Sequence, residues 1–154
     1  MTVNADVLKA IDMAVIAGDG RDAVTKRVAE IIREAGRYRW VGIYEVTEPE
    51  IAAIGWTGSE APAYLRFPVT RGLTGAAVKS RAPVVVADVA KDARYLAFFT
   101  DTRSEMIVPV INEFGVVIGT INVESERVNA FSEQDVKVAE QCAKRIAGLF
   151  LTAK

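Results

Sequence analysis

The hydrophobic period of this chain changes twice, and those changes leave few architectures open. Over 6–17, Val7, Leu8, Ile11, Ala14 and Val15 recur at the three-to-four spacing of a helix face. Gly18-Asp19-Gly20 interrupts that run. From Arg21 a second one carries Val24, Val28, Ile31, Ile32 and Ala35, with Gly36 where a left-handed helix cap is expected. From 38 to 124 the pattern is mostly β-branched and aromatic, broken by one short helix, and a long helical run returns only after Ser132, with the last helix predicted over 132–151. Helices gathered at both ends of a block of strands specify an α+β fold. A doubly wound sheet alternates strand and helix throughout.

Within the block, strands are predicted over 38–46, 51–56, 65–69 and 83–87, followed by a hairpin of 104–111 and 116–124 joined by Asn112-Glu113-Phe114-Gly115. Pro68 puts the third strand at a sheet edge or a strand end, because proline cannot donate to a ladder. A short helix over 72–80 separates the third and fourth strands, and 91–101 reads as irregular or briefly helical. Ser132 and Asp135 have the spacing of a helix start. Without a repeat, low-complexity tract or linker, residues 1–154 read as one domain, with a mostly antiparallel sheet.

Composition excludes more than it suggests. A net charge of -1 offers no basic footprint for nucleic acid and no polybasic membrane patch. No apolar segment approaches the roughly 20 residues that span a bilayer, and Met1-Thr2-Val3-Asn4 does not start like a signal peptide. The expectation is a cytoplasmic chain without nucleic-acid or membrane partners. There is no histidine, which removes histidine base catalysis, histidine metal ligation and haem ligation through histidine. The single cysteine, Cys142, rules out an internal disulfide or a two-cysteine redox pair. No catalytic residue, metal ligand or cofactor is therefore expected.

Five segments carry a family resemblance: WVGIYEV at 40–46, RFPVTRGLTGAAVKSRAPVVVADV at 66–89, SEMIVPV at 104–110, GVVIGTINVES at 115–125 and FSEQD at 131–135. In this order and spacing they resemble a free-standing GAF domain, from about Asp6 to Phe150. The resemblance implies a central antiparallel sheet with the terminal helices on one face and a ligand cup on the other. The chain is also similar to the free methionine-R-sulfoxide reductases, stand-alone GAF proteins with a pattern like SEIVVPL followed by LDIDS. By that likeness Glu105 keeps the acidic residue of the first motif, and the two aspartates of the second fall on Asn122 and Glu124. The reductases work through cysteines around the cup. The matching nucleophile position, seven residues before Glu105, is Phe98, and Cys142 lies in the closing helix.

The residues themselves leave alternatives open. Thr120, Asn122 and Glu124 share one strand face, either the solvated side of a sheet or the wall of a cup that Glu105 joins from the neighbouring strand. In a cup, two carboxyls favour a cationic or amino-bearing ligand, or hold each other at a raised pKa. Trp40 and Tyr44 flank Gly42 on one face, as core aromatics or as a ligand floor with room above the glycine. Tyr95, Phe98 and Phe99 sit in the irregular segment and are read as a lid in preference to a partner surface. Gly72-Leu73-Thr74-Gly75 opens the short helix, either as a plain tight turn or as an anion site. Met13, Ile16, Val138, Cys142 and Leu149 add apolar residues off the main helical stripes, which points to a homodimer through the terminal helices.

The expectation is a small-molecule-binding sensory domain whose ligand contacts come from Trp40, Tyr44, Tyr95, Phe98, Glu105, Asn122 and Glu124. A signalling protein partner is implied by the family resemblance alone. The alternatives are a sulfoxide reductase-like enzyme, a receptor for nitrate or another anion, and an interaction domain whose cup is filled by its own side chains.

Overall fold

The computed structural model describes residues 2–150. Helices α1 (Thr2–Ala17) and α2 (Arg21–Gly36) come first, separated by Gly18 and Gly20, both at positive φ. Strands β1 (Trp40–Val46), β2 (Glu50–Gly58) and β3 (Arg66–Pro68) follow, then α3 (Gly72–Ser80), β4 (Val84–Val86), β5 (Ser104–Ile111), β6 (Val117–Ser125) and α4 (Glu133–Ile146). The six strands form one antiparallel sheet in the order β3-β2-β1-β6-β5-β4. Pro68 lies on an edge strand, where its missing N–H leaves no ladder bond unmade. No helix among the described residues is long and apolar enough to cross a membrane.

The two sheet faces differ in chemistry. Val41, Ile43, Met106, Val108, Val110, Ile121 and Val123 point to one side, where Val7 and Ile11 of α1, the apolar stripe of α2 and Ala139, Cys142 and Ile146 of α4 close over them. On the other side α3 and the segment after β4 cover Trp40, Tyr44, Glu105, Ile107, Thr120, Asn122 and Glu124. Every residue of β6 is buried, so its polar face is not the solvated side of a sheet.

Two helix ends differ from expectation. The left-handed residue after α2 is Arg37, at φ 54°, and not Gly36. Gly36 is needed for a different reason: Tyr38 folds back against it, and a Cβ there would fall inside the phenol ring. Helix α4 stops at Ile146, and a 3₁₀ turn (Ala147–Leu149) redirects the chain so that Phe150 packs onto Gly119. Leu151, the predicted end, lies outside the described residues. The start of α4 is a complete capping box: Ser132 Oγ accepts from Asp135 N at 3.2 Å while the Asp135 carboxylate accepts from Ser132 N at 2.8 Å.

Candidate acid and aromatic cup

The antiparallel register lays the polar residues out in rows across the sheet. Trp40, Glu124 and Glu105 stand opposite one another on β1, β6 and β5. The next row is Gly42, Asn122 and Ile107, and the third is Tyr44, Thr120 and Pro109. Alternation within each strand thus brings both carboxyls and both aromatics to one covered face.

Glu105 and Glu124 are both buried, Glu124 completely. Burial, then the neighbouring Glu124 charge, pushes the Glu105 carboxyl well above the usual range. Glu124 is pushed up to about 7, chiefly by burial, against hydrogen bonds from Thr102 and Glu105 and the positive charge of Arg39. Thr102 Oγ1 donates to Glu124 Oε1 at 2.6 Å. Among the described residues Trp40 Nε1 has no hydrogen-bond partner, and Glu124 Oε2 has none besides what a protonated Glu105 offers the Glu124 carboxyl. The buried indole N–H thus has no acceptor, while the Glu124 carboxyl has Thr102 and Glu105 beside it.

The aromatic half is a packed cluster. Phe98 lies 6.3 Å from Trp40, 5.9 Å from Tyr44 and 5.5 Å from Phe67, centroid to centroid, and Phe99 lies 5.4 Å from Trp40. Phe98 and Phe99 are buried, so this segment packs down onto the floor. The space over Gly42 is taken by the indole of Trp40, which occupies the position of a Cβ. Tyr95 sits on the acid side, near enough that burial and then the Glu124 charge raise its pKa, with its hydroxyl 3.5 Å from the Phe99 carbonyl.

Asn122 faces the cup but is spent on holding α3. Its Nδ2 donates to Thr74 Oγ1 at 2.8 Å, and its Oδ1 accepts from Thr120 Oγ1 at 2.7 Å. Three contributors escaped the sequence reading: Thr74, Thr102 and Arg39. Thr74 sits inside a glycine turn that was read for its backbone, and Thr102 and Arg39 lie in or beside loops whose course no periodicity encodes. Cys142 packs inside the helical layer on the far side of the sheet and is not an exposed dimer residue. Its thiol is pushed up to about 12 by burial.

The model of the GAF domain matches residues 19–149. The chain belongs to the GAF domain family. Among its relatives, this GAF domain is 31% identical over 118 residues to GAF domain-containing protein A of Dictyostelium discoideum, covering 76% of this chain and 73% of that protein. It is 28% identical over 110 residues to the free methionine-R-sulfoxide reductase of Saccharomyces cerevisiae, covering 70% of this chain and 60% of the yeast enzyme's length. Among solved structures, the free methionine-R-sulfoxide reductase of Neisseria meningitidis, in complex with its substrate, superposes with a TM-score of 0.86 at 30% identity, over 96% of this chain and 87% of that one. A putative GAF sensor protein from Burkholderia vietnamiensis matches at 0.85 with 22% identity, over 95% and 92%, a likeness of fold alone.

Proposed function

We propose that this GAF domain binds a small amino-bearing metabolite in the cup and acts as a non-enzymatic sensor. The observation that carries this reading is the opposed, buried Glu105–Glu124 pair, with the indole N–H of Trp40 on the same row left without an acceptor. A buried polar group without a partner costs about 1–3 kcal/mol, which a ligand supplying an acceptor recovers. An ammonium group favours the ionised pair, so binding releases a proton and tightens as pH rises through neutrality. Phe98 and Phe99, both buried over the floor, then have to move with their loop to admit the ligand.

Calorimetric titration with free amino acids, and with nitrate as the competing anion, tests the reading. The expected result is binding of an amino acid with proton release, abolished by Glu124→Gln. Tight nitrate binding indifferent to that variant would overturn it in favour of an anion site at Gly72.

A reductase-like activity is favoured by the similarity to the yeast and Neisseria enzymes. Against it, Phe98 takes the matching nucleophile position and Cys142 is sealed behind the sheet. Incubation with free methionine sulfoxide and a thiol reductant decides the point: turnover sinks the sensor reading. Association of two copies is proposed through α1, where Met13 and Ile16 are exposed. A scattering mass of one chain at micromolar concentration removes that proposal, and a signalling partner would be sought with the dimer as bait.

A further inference from the structure

The segment over the cup is a loop with pinned feet. Val89 N donates to the Arg103 carbonyl at 2.8 Å, and Arg103 N donates to the Ser125 carbonyl at the end of β6 at 2.8 Å. Between those feet the loop carries Tyr95, Phe98, Phe99, Asp101 and Thr102 across the sheet, a compact loop with its ends together. One margin borders an open cleft of about 640 Å³ against α3, lined by Gly72, Gly75, Ala93, Tyr95 and Leu96 among others. The opposite margin meets Arg39, the residue immediately before β1.

Four contacts converge on that side chain. Arg39 Nε donates to Asp101 Oδ2 at 2.9 Å, Nη1 to Ser59 Oγ at 3.1 Å and Nη2 to Glu60 Oε1 at 3.4 Å. The guanidinium carbon also lies 5.1 Å from the centre of the Phe99 ring. It thus joins the loop to the β2–β3 connection, which otherwise meets the loop through the backbone bond from Ala63 N to the Phe98 carbonyl and the ring of Tyr64 beside Phe98. The next residue after Asp101 is Thr102, whose hydroxyl points inward to Glu124. Adjacent residues of one loop therefore hold the outer clasp and the inner acid.

We propose that Arg39 is the clasp that keeps the 89–103 loop shut over the acid pair, and that its release from Asp101 and Phe99 is the step by which the cup opens. The passage of ligand through that opening rests on the sensor reading above; the clasp itself does not.

Hydrogen exchange by mass spectrometry on the ligand-free protein tests it. Arg39→Met keeps the aliphatic stem, and Asp101→Asn takes the charge from one partner, a largely exposed carboxylate on the loop's outer side. Both are expected to speed exchange of amides in 93–101 about fivefold, the size typical of losing a partly exposed ion pair. Amides of α4 and β6 stay unchanged. Asp92→Asn serves as the control, because the Asp92 side chain pairs with Arg94 inside the same loop at 2.7 Å and with no other side chain among the described residues; its effect should be confined to the turn. Unchanged exchange in Arg39→Met and Asp101→Asn overturns the clasp, as does acceleration spread evenly over the sheet. Loop acceleration with no amino acid bound leaves the clasp standing and the sensor reading refuted. Amino-acid binding with no loop acceleration does the reverse.

Discussion

Glu124→Gln should make this protein more stable at neutral pH, and by an amount that depends on pH in a defined way. The carboxyl is fully buried and its pKa is pushed from the ordinary 4.5 to about 7. By linkage a rise of that size corresponds to about 3 kcal/mol. The sign follows from linkage: a raised carboxyl pKa leaves stability intact below about 4.5 and removes it as pH climbs to about 7, because only the unfolded chain gives up the proton freely. Glutamine cannot ionise, and its Oε1 still accepts from Thr102. Removing the Glu124 charge also relaxes the raised Glu105 carboxyl, which acts in the same direction.

Urea unfolding of both proteins at pH 4.5, 6, 7 and 8 reads the difference directly. The variant should match or fall slightly below wild type at pH 4.5 and exceed it by about 3 kcal/mol at pH 8, roughly 6–12 °C in midpoint for a chain of this size. A difference independent of pH would falsify the claim that these carboxyls are buried as a coupled pair.

Three further outcomes follow from the packing. Asn122→Ala strands Thr74 and Thr120, each nearly or fully buried, and should cost about 2–5 kcal/mol, with α3 amides exchanging first in a hydrogen-exchange series. Retained stability would mean that α3 is held by its apolar contacts alone. Gly119→Ala drives a methyl into the Phe150 ring and should cost about 1–3 kcal/mol by thermal melt, part of it regained with Phe150→Leu. Cys142 should react with a thiol reagent only at the rate of global unfolding, and burst labelling under native conditions would contradict its burial.

The architecture was legible because the helical and strand periods are clean and side chains alternate along β6 and most of β5. Residues 40–46 and 104–125 carry the β pattern that fixes the register, and the Ser132–Asp135 spacing announced a cap that the structure forms. What escaped was tertiary. Alternation puts Asn122 and Glu124 on one face, but only the cover supplied by α3 and the 89–103 loop makes that face dry. The reading of Gly36 as a left-handed cap failed because Tyr38 needed the space more than Arg37 needed a glycine's freedom. Arg39 escaped because its partners lie 20 to 62 residues away in loops.

The strict division of β6 between an aliphatic and a polar face also bears on how the chain reaches this fold. A slip of one residue in its pairing would turn Asn122 and Glu124 into the layer beneath α4 and send Ile121 and Val123 toward Thr74 and Thr102. A carboxyl slipped into that layer would lie among Val41, Met106, Val108, Ala139, Cys142 and Ile146, away from Thr102 and Glu105, so the slipped sheet is heavily penalised. The same acids that burden the finished protein near neutrality therefore act as proofreaders of its assembly. They exclude the neighbouring register, which hydrophobic pairing alone would discriminate against less sharply.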